Sequence, residues 1–257
     1  MEPNIKRRSG GRSAKSERKA IKSIEQMKWK IPYNTDNFIE PLDDEGVSAI
    51  DNAAMQVIEE IGVEFLNDEA ISILKEAGCI IKNGSYNVKM DRAWVSEMIS
   101  KAPSEFDIIP RNPERLVKVG GRNMAFVNVS SPPNVMDLDR GRRVGDFESF
   151  KDFIKLTQYF NCIHLAGGYP VEPVDIHASI RHLECLYEKL TLTEKVCHAY
   201  SLGSERVEDV LEMARIASGL SEKEFFSKPR IYTNINSSSP LKHDLPMLDG
   251  AMRFARR

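Results

Sequence analysis

Several familiar signatures are missing from this sequence, and each absence removes a class of function. Its 257 residues include four cysteines, Cys79, Cys162, Cys185 and Cys197, and no two of them form a C-x-x-C pair. A disulfide framework or a paired-cysteine metal site is therefore not expected, and free buried thiols in a reducing cytoplasm are the reading that follows. No run of about eighteen apolar residues occurs, so no membrane span is expected. No apolar stretch follows Met1, which makes a secretory leader unexpected and points to the cytoplasm. A formal net charge of −2 does not suggest general nucleic-acid binding. There is no H-x-x-E-H, no G-x-S-x-G and no phosphate loop, so the usual residues of zinc hydrolases, serine hydrolases and NTPases are lacking.

What is present is an ordinary globular composition, 41% hydrophobic and 29% charged, with enough length for a sizeable core. The stretch from Arg230 to Asp244 shows the plan. Ile231, Tyr232, Thr233 and Ile235 read as a strand, which breaks into Asn236, Ser237, Ser238, Ser239 and Pro240 before a helical pattern from about Asp244. Three earlier stretches repeat it: Met124–Val129 before a helix from about Asp146, Asn161–Ala166 before one from about Ile176, and Lys195–Tyr200 before a third. Strand starts near 124, 162, 195 and 230 give a period of about 35 residues, typical of βα units.

The fold class expected is thus α/β: a partial (β/α)8, or TIM, barrel of about four βα units, with four polar mouths at its C-terminal face. The last helix begins near Leu245 and is expected to be still running at Arg257, which reads as a truncated half-barrel in residues 122–257. Ahead of it, residues 41–121 read as α+β. Asp43 or Asp44 caps a helix with Val47, Ile50, Ala54, Val57, Ile58 and Ile61 at helical spacing, stopped by Gly62. A second helix spans Asp68 to Ala77, Asn83-Gly84 turns a hairpin, Asp91 caps a third helix, and two strand-like runs follow. Such a region would buttress the barrel or make a subunit contact. Residues 1–40 form a basic arm from Lys6 to Lys30, read as a solvated tail or an arm over an acidic surface.

Several segments together resemble the trimethylamine methyltransferase family of corrinoid-dependent enzymes. They are Arg7–Ser13, Ala54–Phe65, Pro132–Arg143, Gly167–Pro173, Arg181–Tyr187 and Asn234–Leu241, in order along nearly the whole chain. The resemblance implies a TIM barrel with an N-terminal extension and a protein about twice this long. It also implies transfer of a methyl group from a tertiary or quaternary amine, or a betaine, to a corrinoid (cobalamin). That corrinoid is carried by a separate small protein and is not bound tightly by this chain. Partners expected on this basis are the corrinoid protein and the methylated amine or betaine, with homo-oligomerisation at full length and neither nucleic acid nor membrane. A pyrrolysine, where the family carries one, would lie beyond Arg257. The competing expectations are an inactive fragment or a different barrel enzyme, a lyase or hydrolase.

Such chemistry asks the protein to position an N-methyl group and exclude water. Asn234 and Asn236 are two apart, so both leave one face of a strand end. They could hold a substrate carboxylate or a corrin edge, or instead satisfy loop backbone. His198, two before Tyr200, joins them as a site candidate, whereas His164 reads as core. Tyr169 and Tyr200 could present π faces to a cation or simply pack. Gly167 and Gly168 allow a close approach, or only a tight turn. Glu172 could counter a quaternary ammonium or be solvated. Asn128 and Ser237 complete the set facing substrate or corrinoid, and no metal ligand set is expected, His177 and His182 being five apart.

Overall fold

The computed structural model describes residues 24–257. Its first part is laid down by local signals. Helix α1 (Asp44–Gln56) starts where the Asp43 carboxylate accepts the Gly46 N–H at 2.9 Å. A π-helical turn over Val57–Ile61 carries it to Gly62, whose φ of +86° ends the run. Then come β1 (Val63–Phe65), α2 (Asp68–Glu76) capped by Asn67, β2 (Ile80–Ile81) and β3 (Asn87–Lys89). The expected hairpin forms, with Gly84 at φ +75° and Ile81 opposite Val88. Asp91 caps α3 (Arg92–Ser100), and β4 (Glu105–Ile108) pairs antiparallel with β5 (Val117–Gly120). No residue of α1 is buried: Val47 and Ile50, on its apolar stripe, are 56% and 61% exposed. Periodicity identifies the helix but not a covering element.

Four extended segments follow, each parallel to the one before. Val127 bridges Leu165, β8 (Leu165–Ala166) pairs with β9 (Val196–Cys197), and His198 bridges Tyr232. Backbone hydrogen bonds carry the pairing past the bridges: His164 N–H to Phe126 O at 2.7 Å, and Ala199 N–H to Tyr232 O at 2.7 Å. The helices between and after them are α4 (Phe147–Tyr159), α5 (Arg181–Leu192), α6 (Ser204–Ser218), a short α7 (Glu222–Phe225) and α8 (Leu245–Ala255). This is a mixed α/β architecture of small sheets, and among the described residues no barrel closes.

The structure departs from the sequence expectation at several points. Residues 130–146, read as a loop, contain a hairpin of β6 (Asn134–Asp137) and β7 (Gly141–Val144). The Asp137 carboxylate accepts the Asp139 and Arg140 N–H groups and Gly141 sits at φ +68°, which turns the chain. The helix expected from Ile176 begins at Arg181. Residues before it are held in turns, because Asp175 accepts the first N–H of α4 at 2.9 Å and Arg181 binds the Ile176 carbonyl. Helix α8 ends at Ala255 with Arg256 as its C-cap, short of Arg257. Cys185 and Cys197 are buried, but Cys162 is exposed.

The main core lies between the strands and α4–α6, where Phe150, Ile154, Leu186, Val210 and Ala199 are all at most 1% exposed. Burying each large member contributes about 1.5–3 kcal/mol. A second cluster closes the N-terminal ends of the strands. Ile108, Val117, Leu165 and Val196 pack there with Trp29 and Ile31. The part of the basic arm within the described residues therefore supplies a plug of apolar side chains, while its residues up to Lys22 lie outside the described residues. The two ends of the chain are also tied: β10 (Lys242–His243) pairs parallel with β1, and Asn67 Nδ2 donates to Asp249 Oδ1 of α8 at 2.7 Å. No helix among the described residues is long and apolar enough to cross a membrane.

Candidate functional site

The C-terminal ends of the four parallel segments converge on one cavity of about 330 Å³. Ser130 and Ser131 come from the first, Gly168 and Tyr169 from the second, His198, Tyr200 and Ser201 from the third, and Asn234 and Asn236 from the fourth. Leu202, Arg206 of α6 and Met247 of α8 complete the wall. Helix α8 reaches this mouth because it carries Gly250, where a Cβ would lie 1.9 Å from the Ser201 carbonyl oxygen. Only glycine permits that approach.

Tyr200 is the hub. Its ring stacks on Tyr169 at 4.8 Å with an interplanar angle of 20°, and the Lys189 ammonium sits 4.7 Å from its centroid. Being 8% exposed, it leaves a ligand little of its π surface, whereas Tyr169 is half-buried. His198 packs edge-on to Tyr200 and to Tyr232. Its Nδ1 is buried with no hydrogen-bond partner, as are the Tyr200 hydroxyl and Lys189 Nζ. Burial, reinforced by the Lys189 charge, pushes the His198 pKa down to about 4, so the imidazole is neutral near pH 7. Burial likewise pushes Lys189, on α5 and fully enclosed, down to about 8 and raises both tyrosine hydroxyls.

The asparagines stand at the rim. Among the described residues neither the Asn234 nor the Asn236 amide makes a hydrogen bond, and the Asn234 backbone carbonyl accepts the Ser201 hydroxyl at 3.0 Å. Their amides are thus free for a ligand, which weighs against loop satisfaction as their role.

Of the residues singled out from sequence, Gly168, Tyr169, His198, Tyr200, Asn234 and Asn236 share the cavity wall; Asn128, Gly167, Glu172 and Ser237 do not. Asn128 Oδ1 accepts the Gly167 N–H at 2.7 Å, and a Cβ on Gly167 would lie 2.8 Å from the Asn128 carbonyl. That pair locks the first two segments together. Glu172 is ion-paired with Arg181 and is not free to face a cation. Ser237 is exposed beyond the rim. His164 is core: Nδ1 accepts the Phe126 N–H at 2.9 Å and Nε2 lies 3.0 Å from the Lys30 carbonyl. His182 binds Asp209 at 2.8 Å and His177 binds Ser179 at 2.7 Å, so the two do not meet. Residue order alone does not point to Arg206 or Lys189, because a charged residue on an amphipathic helix ordinarily faces water. Arg206 lies three residues past Gly203 in the third strand-end loop, the one signal that could mark it.

In α/β proteins the C-terminal ends of parallel strands are where ligand pockets commonly form, and here they build an open pocket of aromatic and amide groups. The family model for trimethylamine methyltransferase (MTTB) matches residues 8–257, and the chain belongs to that family. Glycine betaine methyltransferase of Desulfitobacterium hafniense (strain Y51) is 34% identical over 214 residues, which is 83% of this chain and 44% of that protein. Trimethylamine methyltransferase MttB of Desulfitobacterium hafniense (strain DSM 10664 / DCB-2) is 26% identical, over 77% of this chain and 40% of that protein. Proline betaine:corrinoid methyltransferase of Eubacterium limosum is 24% identical, over 80% and 43%. The chain spans less than half the length of these curated relatives.

Proposed function

We propose that this chain forms the N-terminal part of a cytoplasmic enzyme that moves a methyl group from a methylated amine or betaine to a corrinoid carried by a partner protein, and that the whole enzyme is a homo-oligomer. The observation that carries the reading is the convergence of four strand ends on a pocket with aromatic walls and free amides. In this reading residues 122–257 are the first half of a (β/α)8 barrel, residues 41–121 are its buttress and residues 1–40 are an arm. The consecutive parallel pairings at Val127, Leu165, Val196 and Tyr232 support it.

A corrinoid brought to the pocket by the partner protein would supply reduced cobalt as the nucleophile for the methyl group. The chain's own residues are left to bind, orient and dry the substrate. The donor set suits that role. The pocket is open on one side, is neutral at His198, and offers amide N–H groups without a metal-ligand cluster among the described residues. Tyr169 supplies a half-buried ring against which N-methyl groups can rest. A Schiff-base lyase would need a lysine reaching the cavity, and Lys189 lies enclosed behind Tyr200 on a helix.

The test is spectroscopic. The intact enzyme should consume cob(I)alamin, followed by its absorbance, with at least one member of a panel of methylamines and betaines. If none is accepted, the proposal fails. Asn236→Ala should lower the rate roughly tenfold or more while leaving the melting curve unchanged, as expected for a lost substrate hydrogen bond at an exposed rim.

A further inference from the structure

The fourth strand end is held by a distant part of the chain. Two residues past Asn236, the Ser238 N–H donates to the Lys242 carbonyl at 2.6 Å, and the Lys242 N–H donates back to the Ser238 carbonyl at 3.1 Å. The loop that carries the asparagines is thereby closed onto β10, which belongs to the sheet of β1, β3 and β2 rather than to the parallel segments. The Glu64 N–H donates to the Leu241 carbonyl at 2.9 Å, the Leu66 N–H donates to the His243 carbonyl at 3.0 Å, and the Phe65 and His243 rings lie 5.3 Å apart. Helix α8 then runs from Asp244 back to the pocket. Met247 stands on the cavity wall, Gly250 presses on the Ser201 carbonyl, and the Ser201 hydroxyl donates to the Asn234 carbonyl. The side chain that fixes α8 against the N-terminal region is Asn67, which is buried. Its Oδ1 accepts the Ala70 N–H at 2.9 Å and caps α2, while its Nδ2 donates to Asp249 Oδ1 at 2.7 Å. The Glu69–Arg256 ion pair lies beside it, but both side chains are half exposed and such a pair contributes little. A buried hydrogen bond to a carboxylate is the stronger tie.

We propose that Asn67 is a positioning residue for the site: through Asp249 and α8 it sets where the Asn234 and Asn236 amides stand. No residue before Ser130 lines the cavity among the described residues, so the N-terminal α+β region shapes binding without touching the substrate. The inference rests on the functional reading above and deepens it.

Asparagine and aspartate cap helices equally well, so Asn67→Asp keeps the α2 cap while setting a second carboxylate against Asp249. Combining Asn67→Asp with Asp249→Asn restores the hydrogen bond with donor and acceptor exchanged. In the intact enzyme, amide hydrogen exchange over residues 234–244 should quicken about tenfold or more in Asn67→Asp and return to within about twofold of the parent in the exchanged pair. Exchange at the second strand end, residues 167–173, should stay within about twofold throughout. Methyl transfer to cob(I)alamin, with trimethylamine and glycine betaine as the donors tried, should follow the same ranking. KM for the accepted donor should rise about fivefold or more in Asn67→Asp and recover in the exchanged pair. Asn67→Asp combined with Asn236→Ala should raise KM by less than the product of their separate effects, because the group being positioned is already gone. A merely structural residue would lower the melting temperature and the amount of active enzyme but leave KM unmoved. That result, unaltered exchange over 234–244, a fully multiplicative double variant, or no recovery in the exchanged pair overturns the inference and spares the functional reading. If the parent transfers a methyl group from neither these donors nor the wider panel, the functional reading falls, and the exchange comparison still decides whether Asn67 holds the loop.

Discussion

The two ends of the parallel segments treat buried polar groups in opposite ways. At the N-terminal end, Lys195 is 3% exposed, yet its ammonium donates to the carbonyls of Phe160 at 2.8 Å, Ile163 at 2.7 Å and Thr157. His164 uses both ring nitrogens, and Trp29 packs edge-on to it at 5.0 Å. At the C-terminal end, Lys189 Nζ, His198 Nδ1 and the Tyr200 hydroxyl are buried with no partner, and the Asn234 and Asn236 amides are uncommitted. Unpaired buried polar groups are uncommon in native proteins; His198 Nδ1 and the Tyr200 hydroxyl stand on the cavity wall and Lys189 Nζ behind it, while others among the described residues, such as those of Asp107 and His243, lie away from it. The same residue types, lysine and histidine, are therefore hydrogen-bonded to backbone at one end and left short of partners at the other.

The sharpest way to break this comparison is to remove each lysine's charge while keeping its length. Lys195→Met leaves three buried carbonyls without their donor and should cost about 3 kcal/mol in urea unfolding. Lys189→Met removes an ammonium that has no hydrogen-bond partner and only the Tyr200 ring beside it, and should be neutral or stabilising by about 1 kcal/mol. Equal losses would show that the two ends do not differ.

A smaller contrast is expected for the histidines. His164→Phe strands the Phe126 N–H and the Lys30 carbonyl and should cost about 2 kcal/mol, whereas His198→Phe should stay under about 1 kcal/mol. Thermal melts of the two variants, run side by side, measure it.

The smallest effect is one of pH. Lys189 faces Cys185, Cys197, His198 and Tyr200, and its folded pKa of about 8 is below the unfolded value near 10.4. Between those values the unfolded chain binds the extra proton, so this group makes stability rise with pH. The two buried thiols, raised by burial, act in the opposite sense above about pH 9. The difference between the parent and Lys189→Met isolates the lysine. It should grow in favour of the parent from pH 7.5 to 9, and a flat difference would show that the ammonium is not desolvated.

Much of this arrangement is legible in residue order. The two-residue spacing of Asn234 and Asn236 at a strand end marks them, and the same spacing one unit earlier marks His198 and Tyr200; all four meet in the cavity. Glu172 and Asn128 have equally good positions along the chain. What separates them is a partner: Arg181 for the one, the Gly167 N–H for the other. The β6–β7 hairpin escapes sequence reasoning because Asp137, Asp139 and Arg140 read as a polar loop, although the Asp137 side chain folds that loop into a turn.

By itself the sequence determined what is settled within a few residues: the helix starts at Asp43, Asp91, Asp146 and Asp244, the Asn83-Gly84 hairpin, and the spacing that brings parallel segments into order. Each rests on a hydrogen bond between near neighbours or on the reach of a short connection, so local order suffices. The tertiary structure alone decided that β10 pairs with β1, that Trp29 plugs the floor, and that Lys195 finds three carbonyls while Lys189 finds none. Those outcomes depend on which distant backbone and side-chain groups packing brings within hydrogen-bond range, and on how far burial strips them of water.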